Sequence, residues 1–446
     1  MGSVRYRPES GLSPEIEVTI ATVGARGDGI AVSTRAGNKP GKIGDRIFVP
    51  LTAPGDRVRV RLGPAQTEGR RGQVIAWLER GPDVVEPPCR HFGRCGGCSL
   101  QHLGDPAYGA WKSEQVTAAL ARGGFEAVQP VPLARTPPGG RRRVTFTARR
   151  RGTVITVGFN ERLSHRLVDL EQCPVLASDL EALIPRVRQG LVEVLPDGGL
   201  IDVIATRFED GIDLVLVGPP SLDLGARQAL AELAETANLA RLSWQPDLKQ
   251  PIEPVAARRP VLVRFGDRLV AVPPGAFLQA SLEGESALVA AVLGGVGDAA
   301  AGGAVADLFA GCGTFSLPLA STGRRVHAVD GNGAALAALA GAARGLPGVT
   351  TEQRDLGRNP LSSQELAAYQ AVVFDPPRAG ASAQVEALAG SGVPVVVAVS
   401  CNPATFARDA HRLNEGGYRL VSALAVDQFL WSAHIELVAV FRLSRK

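Results

Sequence analysis

The chain of 446 residues contains no run of 18 apolar residues, so none of its segments reads as a membrane-crossing helix. Its first residues, Met1-Gly2-Ser3-Val4-Arg5, lack the apolar core of a secretory signal. A cytoplasmic protein with no membrane partner is expected. There is one methionine, and aromatics make up only 5% of the chain, with Ala, Arg and Gly abundant. This bias reads as a GC-rich genome rather than as function. Only six cysteines are present, and disulfides are not expected in a cytoplasmic chain. No internal repeat or low-complexity tract occurs. The length suits two to four domains with sizeable cores.

The net charge of +4 is small but unevenly spread. Residues 1–80 hold 13 Lys/Arg against 8 Asp/Glu, and residues 281–446 hold 12 against 14. A basic front suggests contact with a polyanion, and a near-neutral back suggests chemistry.

Residues 14–80 read as five short strands, Glu15–Ala21, Gly29–Ser33, Lys42–Val49, Asp56–Leu62 and Gln73–Leu78, separated by Gly/Pro turns. That spacing suits a small closed barrel of the OB type. Gly27-Asp28-Gly29-Ile30-Ala31, Gly44-Asp45 and Pro54-Gly55-Asp56 together resemble a TRAM domain, a small RNA-binding barrel. Arg57, Arg59 and Arg61 alternate along one strand and share a face, and with Arg70 and Arg71 they suggest a phosphate-facing patch.

Cys89, Cys95 and Cys98 form C-x5-C-x2-C, and Cys173 follows 75 residues later in Glu-Gln-Cys-Pro. Four thiolates suit structural zinc or an iron–sulfur cluster. A single CxxC with one distant cysteine fits a [4Fe-4S] cubane better than a ribbon with two zinc knuckles. His91 reads as a solvent-exposed loop residue rather than a ligand. A helix is expected over 105–123, with Asp105 as cap and Pro106 at its first position. Arg141–Arg143 and Arg149–Arg151 bracket an alternating strand and suggest contact with an RNA backbone. Residues 154–270 alternate strands and helices, as in an α+β domain.

Val395–Val399 reads as a buried parallel strand that stops at Ser400-Cys401-Asn402-Pro403. Cys401 would then stand at the carboxyl end of a core strand, the edge where open α/β sheets bind ligands. A thiol there is either a nucleophile or a small packing group. Asp307-Leu308-Phe309-Ala310-Gly311-Cys312-Gly313-Thr314 is a strand running into a glycine turn, and D-x-F-x-G-x-G is the S-adenosylmethionine form of that loop. Cys312 reads as a packing residue. Asp330, 23 residues after Asp307, suits the ribose hydroxyls, and Asp355 the adenine. Tyr369–Phe374 ends in Asp375-Pro376-Pro377-Arg378.

Taken together, D-L-F-x-G-x-G, D-P-P-R-x-G, S-C-N-P-A-T, the terminal His434-Ile435-Glu436, the barrel and the four cysteines resemble the uracil-5 RNA methyltransferase family. The resemblance spans essentially the whole chain. It implies a Rossmann-like S-adenosylmethionine methyltransferase domain, α/β in class, over residues 271–446. A TRAM-like barrel would occupy 1–80, and a central α+β domain carrying the cluster 81–270, with helix 105–123 packing on the catalytic domain. Cys401 would be the nucleophile and Glu436 the base. Gln279, Phe309, Thr314, Asp330, Asp355 and Asp375 would contact S-adenosylmethionine. A monomer acting on RNA is expected, on ribosomal RNA ahead of transfer RNA. A non-catalytic assembly factor would lack Cys401, Glu436 or Asp375, and a cytosine-5 enzyme usually carries its thiol in another motif. Ser281, where the family often has asparagine, and Leu430-Trp431, where a proline turn is common, are departures that bear on the RNA pocket.

Overall fold

A computed structural model describes residues 15–32, 46–125, 131–218, 222–297 and 303–444. The chain divides into two compact units. The smaller takes in the described residues up to Pro88, with Cys98–Trp111 and Trp431–Ala433. The larger holds Cys89–Gly97, Lys112–Leu430 and the chain from His434.

The smaller unit begins with β1 (Glu15–Thr19), β2 (Thr22–Val23), β3 (Gly29–Val32), β4 (Arg46–Val49), β5 (Arg57–Gln66) and β6 (Gly69–Glu79). They form one sheet in the order β1-β5-β6-β4-β3-β2. The expected first strand, Glu15–Ala21, ends at Thr19 and pairs with β5, and a separate short strand just beyond it, β2, pairs with β3. Alternation buries Val58, Val60 and Leu62 of β5 against Ile20, Ala31, Ile47 and Val49. The Gly44-Asp45 pair and the start of the expected strand 42–49 lie outside the described residues.

Arg57, Arg59 and Arg61 do share the exposed face of β5, but they do not form an open cationic patch. Arg59 is paired with Glu17 at 2.7 Å, Arg61 with Glu15 at 2.9 Å and Arg57 with Glu79 at 3.5 Å. Arg71 faces Asp28 at 3.5 Å. The partners come from neighbouring strands, and cross-strand register places opposite charges side by side. Three of the arginines of the expected phosphate-facing patch are thus ion-paired within the sheet while remaining about half exposed.

Helix α1 (Asp105–Arg122) precedes β7 (Leu133–Arg135), β8 (Arg143–Arg151), β9 (Val154–Asn160) and β10 (Leu167–Asp169). Then come α2 (Ser178–Gly190), β11 (Leu200–Phe208), β12 (Gly211–Val217), α3 (Leu224–Thr236), β13 (Arg241–Gln245) and β14 (Glu253–Ala257). Strands β8–β14 build a seven-stranded sheet in the order β10-β9-β8-β11-β12-β13-β14, parallel only at β12–β13. Leu180, Leu183, Ile184 and Val187 of α2 and Leu230 and Leu233 of α3 pack against it.

The hairpin β15 (Leu262–Phe265) and β16 (Arg268–Ala271) leads into α4 (Leu282–Val296) and β17 (Ala304–Leu308). After them run α5 (Ser316–Ser321), β18 (Arg325–Asp330), α6 (Gly333–Ala342), β19 (Val349–Gln353), α7 (Ser363–Leu366), β20 (Ala371–Phe374), α8 (Ser382–Ala389), β21 (Val395–Ser400), α9 (Pro403–Glu415), β22 (Tyr418–Asp427) and β23 (Glu436–Leu443). The sheet order is β19-β18-β17-β20-β21-β23-β22-β7. Strands β17–β21 are parallel, and β23 is antiparallel to both its neighbours. The order reverses at β17, between β18 and β20, which is the switch point where such sheets bind ligands.

The uninterrupted apolar run of β21 has a direct cause. Val395, Val397 and Val399 pack with Leu288, Val292 and Val296 of α4 on one face. Val396 and Ala398 pack with Val385, Phe406, Ala410 and Val116 on the other. A sheet covered on both faces needs apolar residues at every position. Val116 shows that α1, from Lys112 onward, contributes to this core.

Candidate active site

Four strand ends on the carboxyl edge of the parallel sheet carry the expected groups. At β17 the chain enters the glycine turn with Phe309 at φ 63°, Gly311 at φ 54° and Gly313 at φ 99°. A non-glycine residue in the left-handed region is strained, and here it is held: the N–H groups of Phe309 and Ala310 both donate to the Val329 carbonyl, at 2.8 and 3.1 Å. A side chain at Gly311 would project into open space, so the turn leaves room for a ligand. Cys312 is buried among Leu317, Leu336 and Leu339, as a packing residue.

Asp330 ends β18 and accepts the Gly311 N–H at 2.8 Å and the Asn332 N–H at 2.7 Å. Asp355 lies in the loop after β19, exposed, accepting the N–H groups of Gly357 at 3.0 Å and Arg358 at 3.2 Å. Thr314 sits half-buried in the glycine turn. Asp307 is completely buried and accepts a hydrogen bond from the Ser316 hydroxyl. Its Oδ1 has no hydrogen-bond partner among the described residues. Burial pushes the Asp307 carboxyl up to about 7, and the nearby Asp375 and Asp330 add to the effect. Burial likewise raises Asp375 to about 7. The Asp307 carboxyl, with those of Asp375 and Asp330 close enough to disfavour its charge, makes this edge suited to a cation.

Cys401 follows β21, half-buried. Asn402 caps α9 by accepting the Ala404 N–H at 3.1 Å, with Pro403 at the first turn. Asn402 Nδ2 also donates to the Arg378 carbonyl at 3.0 Å, and Thr405 Oγ1 donates to the same oxygen at 3.3 Å. The S-C-N-P-A-T turn thereby clasps the D-P-P-R turn. Burial pushes the Cys401 thiol up to about 11, and Glu436 and Asp375 raise it further, while Arg378 acts the other way. Glu436, the first residue of β23, is buried, and its carboxyl is held well above the ordinary carboxylate range by burial and by Asp375.

The sequence missed the hydrogen-bonded chain behind these groups. Gln279 Nε2 donates to Asp375 Oδ2 at 2.9 Å. Gln428 Nε2 donates to Gln279 Oε1 at 2.7 Å and to Glu436 Oε2 at 2.8 Å. Gln279 and Asp375, expected only as cofactor contacts, are therefore tied to the expected base. The arginine strand serves the same region. Arg142 is buried, ion-paired with Glu285, and donates from Nε to the Gln279 carbonyl at 3.0 Å. Arg150 donates to the carbonyls of Val192 and Leu195. At least these two arginines of the six are spent on structure rather than presented to RNA. Arg141 and Arg143 stand over the rings of Phe429, at 5.7 Å, and Phe277, at 5.0 Å.

Ser281 caps α4, its Oγ accepting the Gly284 N–H at 3.0 Å, and lies 2.7 Å from Thr136 Oγ1. In the smaller unit, Trp431 has φ 57° and donates its N–H to Tyr108 Oη at 2.7 Å, a bond that proline could not make.

The cysteines of the larger unit, Cys89, Cys95 and Cys173, sense one another: burial raises Cys173 to about 11, and Cys89 and Cys95 add to it. Among the described residues no group of three or more His, Cys, Asp or Glu is gathered closely enough to hold a metal. His91 is buried rather than exposed, because its Nε2 accepts the Glu171 N–H at 3.1 Å. Among the described residues no helix is long and apolar enough to cross a membrane.

Residues 340–445 match the tRNA (Uracil-5-)-methyltransferase family. An uncharacterized RNA methyltransferase from Brucella suis is 43% identical over 433 residues, 96% of this chain and 98% of the relative. A 23S rRNA (uracil(1939)-C(5))-methyltransferase from Halomonas elongata is 34% identical, over 88% of this chain and 84% of the relative. The fold is shared with the Pyrococcus abyssi tRNA (uracil-54, C5)-methyltransferase solved with S-adenosyl-L-homocysteine, with a TM-score of 0.71, 23% identity, and 96% and 100% of the two chains covered. The chain belongs to the family of RNA uracil-C5 methyltransferases, S-adenosylmethionine-dependent enzymes.

Proposed function

We infer that this enzyme methylates C5 of a uridine in ribosomal RNA, with Cys401 as nucleophile and Glu436 as base. The observation that carries the reading is the meeting of Cys401, Asp375 and Glu436 at one sheet edge, each acting on the charge of another. Ribosomal RNA is favoured over transfer RNA by the Halomonas elongata relative, which is named for 23S rRNA.

Bound S-adenosylmethionine supplies an electrophilic methyl group on a sulfonium. The residues present suit it. The open space at Gly311, the Asp307 Oδ1, which has no hydrogen-bond partner among the described residues, and the carboxylate of Asp330 fit a cationic ligand with a ribose. Phe309, Thr314, Asp355, Gln279 and Asp375 complete the holding set.

Uracil C5 is a weak nucleophile. The target base leaves its stack so that its C5 and C6 faces can be reached. The Cys401 thiol releases its proton to solvent and the resulting thiolate sulfur forms a bond to C6. The electron pair of the C5–C6 double bond passes to C5 and O4 as an enolate. C5 then takes the methyl group, whose bond to the sulfonium sulfur breaks and leaves that sulfur as a neutral thioether. Glu436 removes the C5 proton, the electrons restore the C5–C6 double bond, and the C6–sulfur bond breaks, returning the thiolate. Arg378 favours the thiolate, opposing the burial and carboxylates that disfavour it.

The barrel belongs to this reading as a TRAM-like RNA-binding domain over 1–80. Residues 81–270 form the central domain and 271–446 the catalytic one. Cys89, Cys95, Cys98 and Cys173 would ligate a [4Fe-4S] cluster, favoured over zinc by their spacing. Methyl transfer moves no electrons, which gives such a cluster a structural or RNA-facing role. The test of substrate is methylation of unmodified 23S rRNA and tRNA transcripts by the purified enzyme, with 5-methyluridine mapped in each. Modification of tRNA alone would overturn the ribosomal assignment.

A further inference from the structure

The orientation of Gln428 is fixed by a group that cannot change its role. The backbone N–H of Ala280 donates to Gln428 Oε1 at 2.8 Å, and a backbone N–H can only donate. The other end of the amide must therefore be the NH2 group. That group faces Glu436 Oε2 at 2.8 Å and Gln279 Oε1 at 2.7 Å. Gln279, accepting there, must turn its own NH2 toward Asp375, and does so at 2.9 Å. One backbone donor thus sets the direction of two amides. All three side chains, Gln279, Gln428 and Glu436, are buried, so water does not substitute for these bonds at low cost.

Packing holds the amide in place. A Cβ at Gly284 would lie 2.7 Å from Gln428 Cβ and 3.2 Å from its Oε1. Only glycine at position 284 lets α4 lie this close to Gln428. Ser281, Gly284 and Gln428 therefore form one packed unit at the start of α4.

We propose that Gln428 is a positioning residue for proton removal: it presents an N–H, and only an N–H, to Glu436, and so aims that side chain and favours its carboxylate over its neutral form. The proposal rests on Glu436 being the base. A carboxylate accepting a hydrogen bond is favoured over the neutral acid. The Gln428 bond opposes the burial and the Asp375 charge that push Glu436 up. Cys401 after β21 also feels the Glu436 charge; Arg378 in the loop after β20 acts on Cys401 and on His434 beside β23, and Lys112 of α1, paired with Asp427, acts on His434. Removal of the N–H raises the Glu436 pKa further, so proton abstraction moves to higher pH. Thiol addition and methyl transfer do not use Glu436 as a base and continue. The methylated enzyme–RNA adduct then accumulates on ordinary uridine.

The experiment uses Gln428→Met, similar in volume and without a donor, with an unmodified 23S rRNA transcript and S-adenosylmethionine. Covalent adduct is read by denaturing electrophoresis across pH 6.5–9.5. Expected is about tenfold more adduct than wild type at neutral pH, with the pH profile of adduct breakdown displaced by about one unit to the alkaline side. Gly284→Ala, which displaces Gln428 without touching Glu436, gives the same signature more weakly, and it decides the matter if Gln428→Met does not fold. A merely structural residue would lower adduct and product together with no change in pH profile. Wild-type breakdown and profile in both variants, while Glu436→Gln accumulates adduct, overturns the relay alone. Absence of adduct in Glu436→Gln overturns the reading beneath it.

Discussion

Lys112 and Asp427, 315 positions apart, form a fully buried ion pair, Nζ to Oδ1 at 2.7 Å. The same Nζ donates to the carbonyls of Phe429 and His434. One cation from α1 therefore grips both ends of the segment joining β22 to β23, on which Gln428 stands and at whose end Glu436 begins.

Lys112→Met leaves the Asp427 carboxylate buried without that partner. A loss of about 3–5 kcal/mol is expected, because breaking a buried pair strands the other charge. The double variant Lys112→Met/Asp427→Leu should recover most of it. Urea denaturation followed by fluorescence reads both. A loss below about 1 kcal/mol in the single variant would show that the pair carries little.

The Cys401 thiol, pushed up to about 11, should be alkylated slowly at pH 7 and progressively faster toward pH 10 in the unliganded protein. Glu436 raises that value and Arg378 lowers it. Glu436→Gln should thus speed alkylation at pH 8, and Arg378→Ala should slow it. Iodoacetamide labelling with quantitation of the Cys401 peptide measures this. A wild-type midpoint near the free-thiol value of about 8.5 would contradict it.

Asp375 has its carboxyl raised to about 7 in the folded protein. The folded state therefore holds a proton that the unfolded chain releases above its ordinary value. That contribution to stability is complete below about pH 4 and is lost as pH rises through about 7. Asp375→Asn removes the loss, since the amide oxygen can still accept from Gln279. The unliganded variant should melt higher than wild type at pH 8, with the gap closing below pH 4. Equal melting temperatures at pH 8 would contradict the shift.

Much of the catalytic half was legible because its signals are local. The β-branched run of β21, the glycine turn after β17 and the caps around Asn402 are each specified within about a dozen residues. The relay was not legible. Gln279 and Gln428 lie 149 positions apart and neither carries a periodic signal, so only the folded chain brings them together. The arginines misled for a related reason. The partners of Arg59 and Arg61 are 42 and 46 positions away, and pairing depends on strand register that charge counting does not see. Arg142 looked like an RNA contact because a buried ion pair and an exposed patch are spelled alike.

The four cysteines are expected to bring iron with them. Anaerobically purified protein should be brown and contain iron and acid-labile sulfide, and Cys173→Ser should lose the colour. Stoichiometric zinc without iron in such a preparation would contradict the cubane assignment.

The central claim is that Cys401 bonds to the base and Glu436 releases it. Trapping with 5-fluorouridine in the RNA tests it most directly, because fluorine at C5 cannot be abstracted as a proton. Wild-type enzyme with S-adenosylmethionine should give a methylated protein–RNA adduct that survives denaturing electrophoresis. Glu436→Gln should give the adduct even on ordinary uridine. Cys401→Ala should give none on any substrate and lose at least about a thousandfold in turnover. A denaturation-resistant adduct from Cys401→Ala, or 5-methyluridine formed by it at the wild-type rate, would contradict the account.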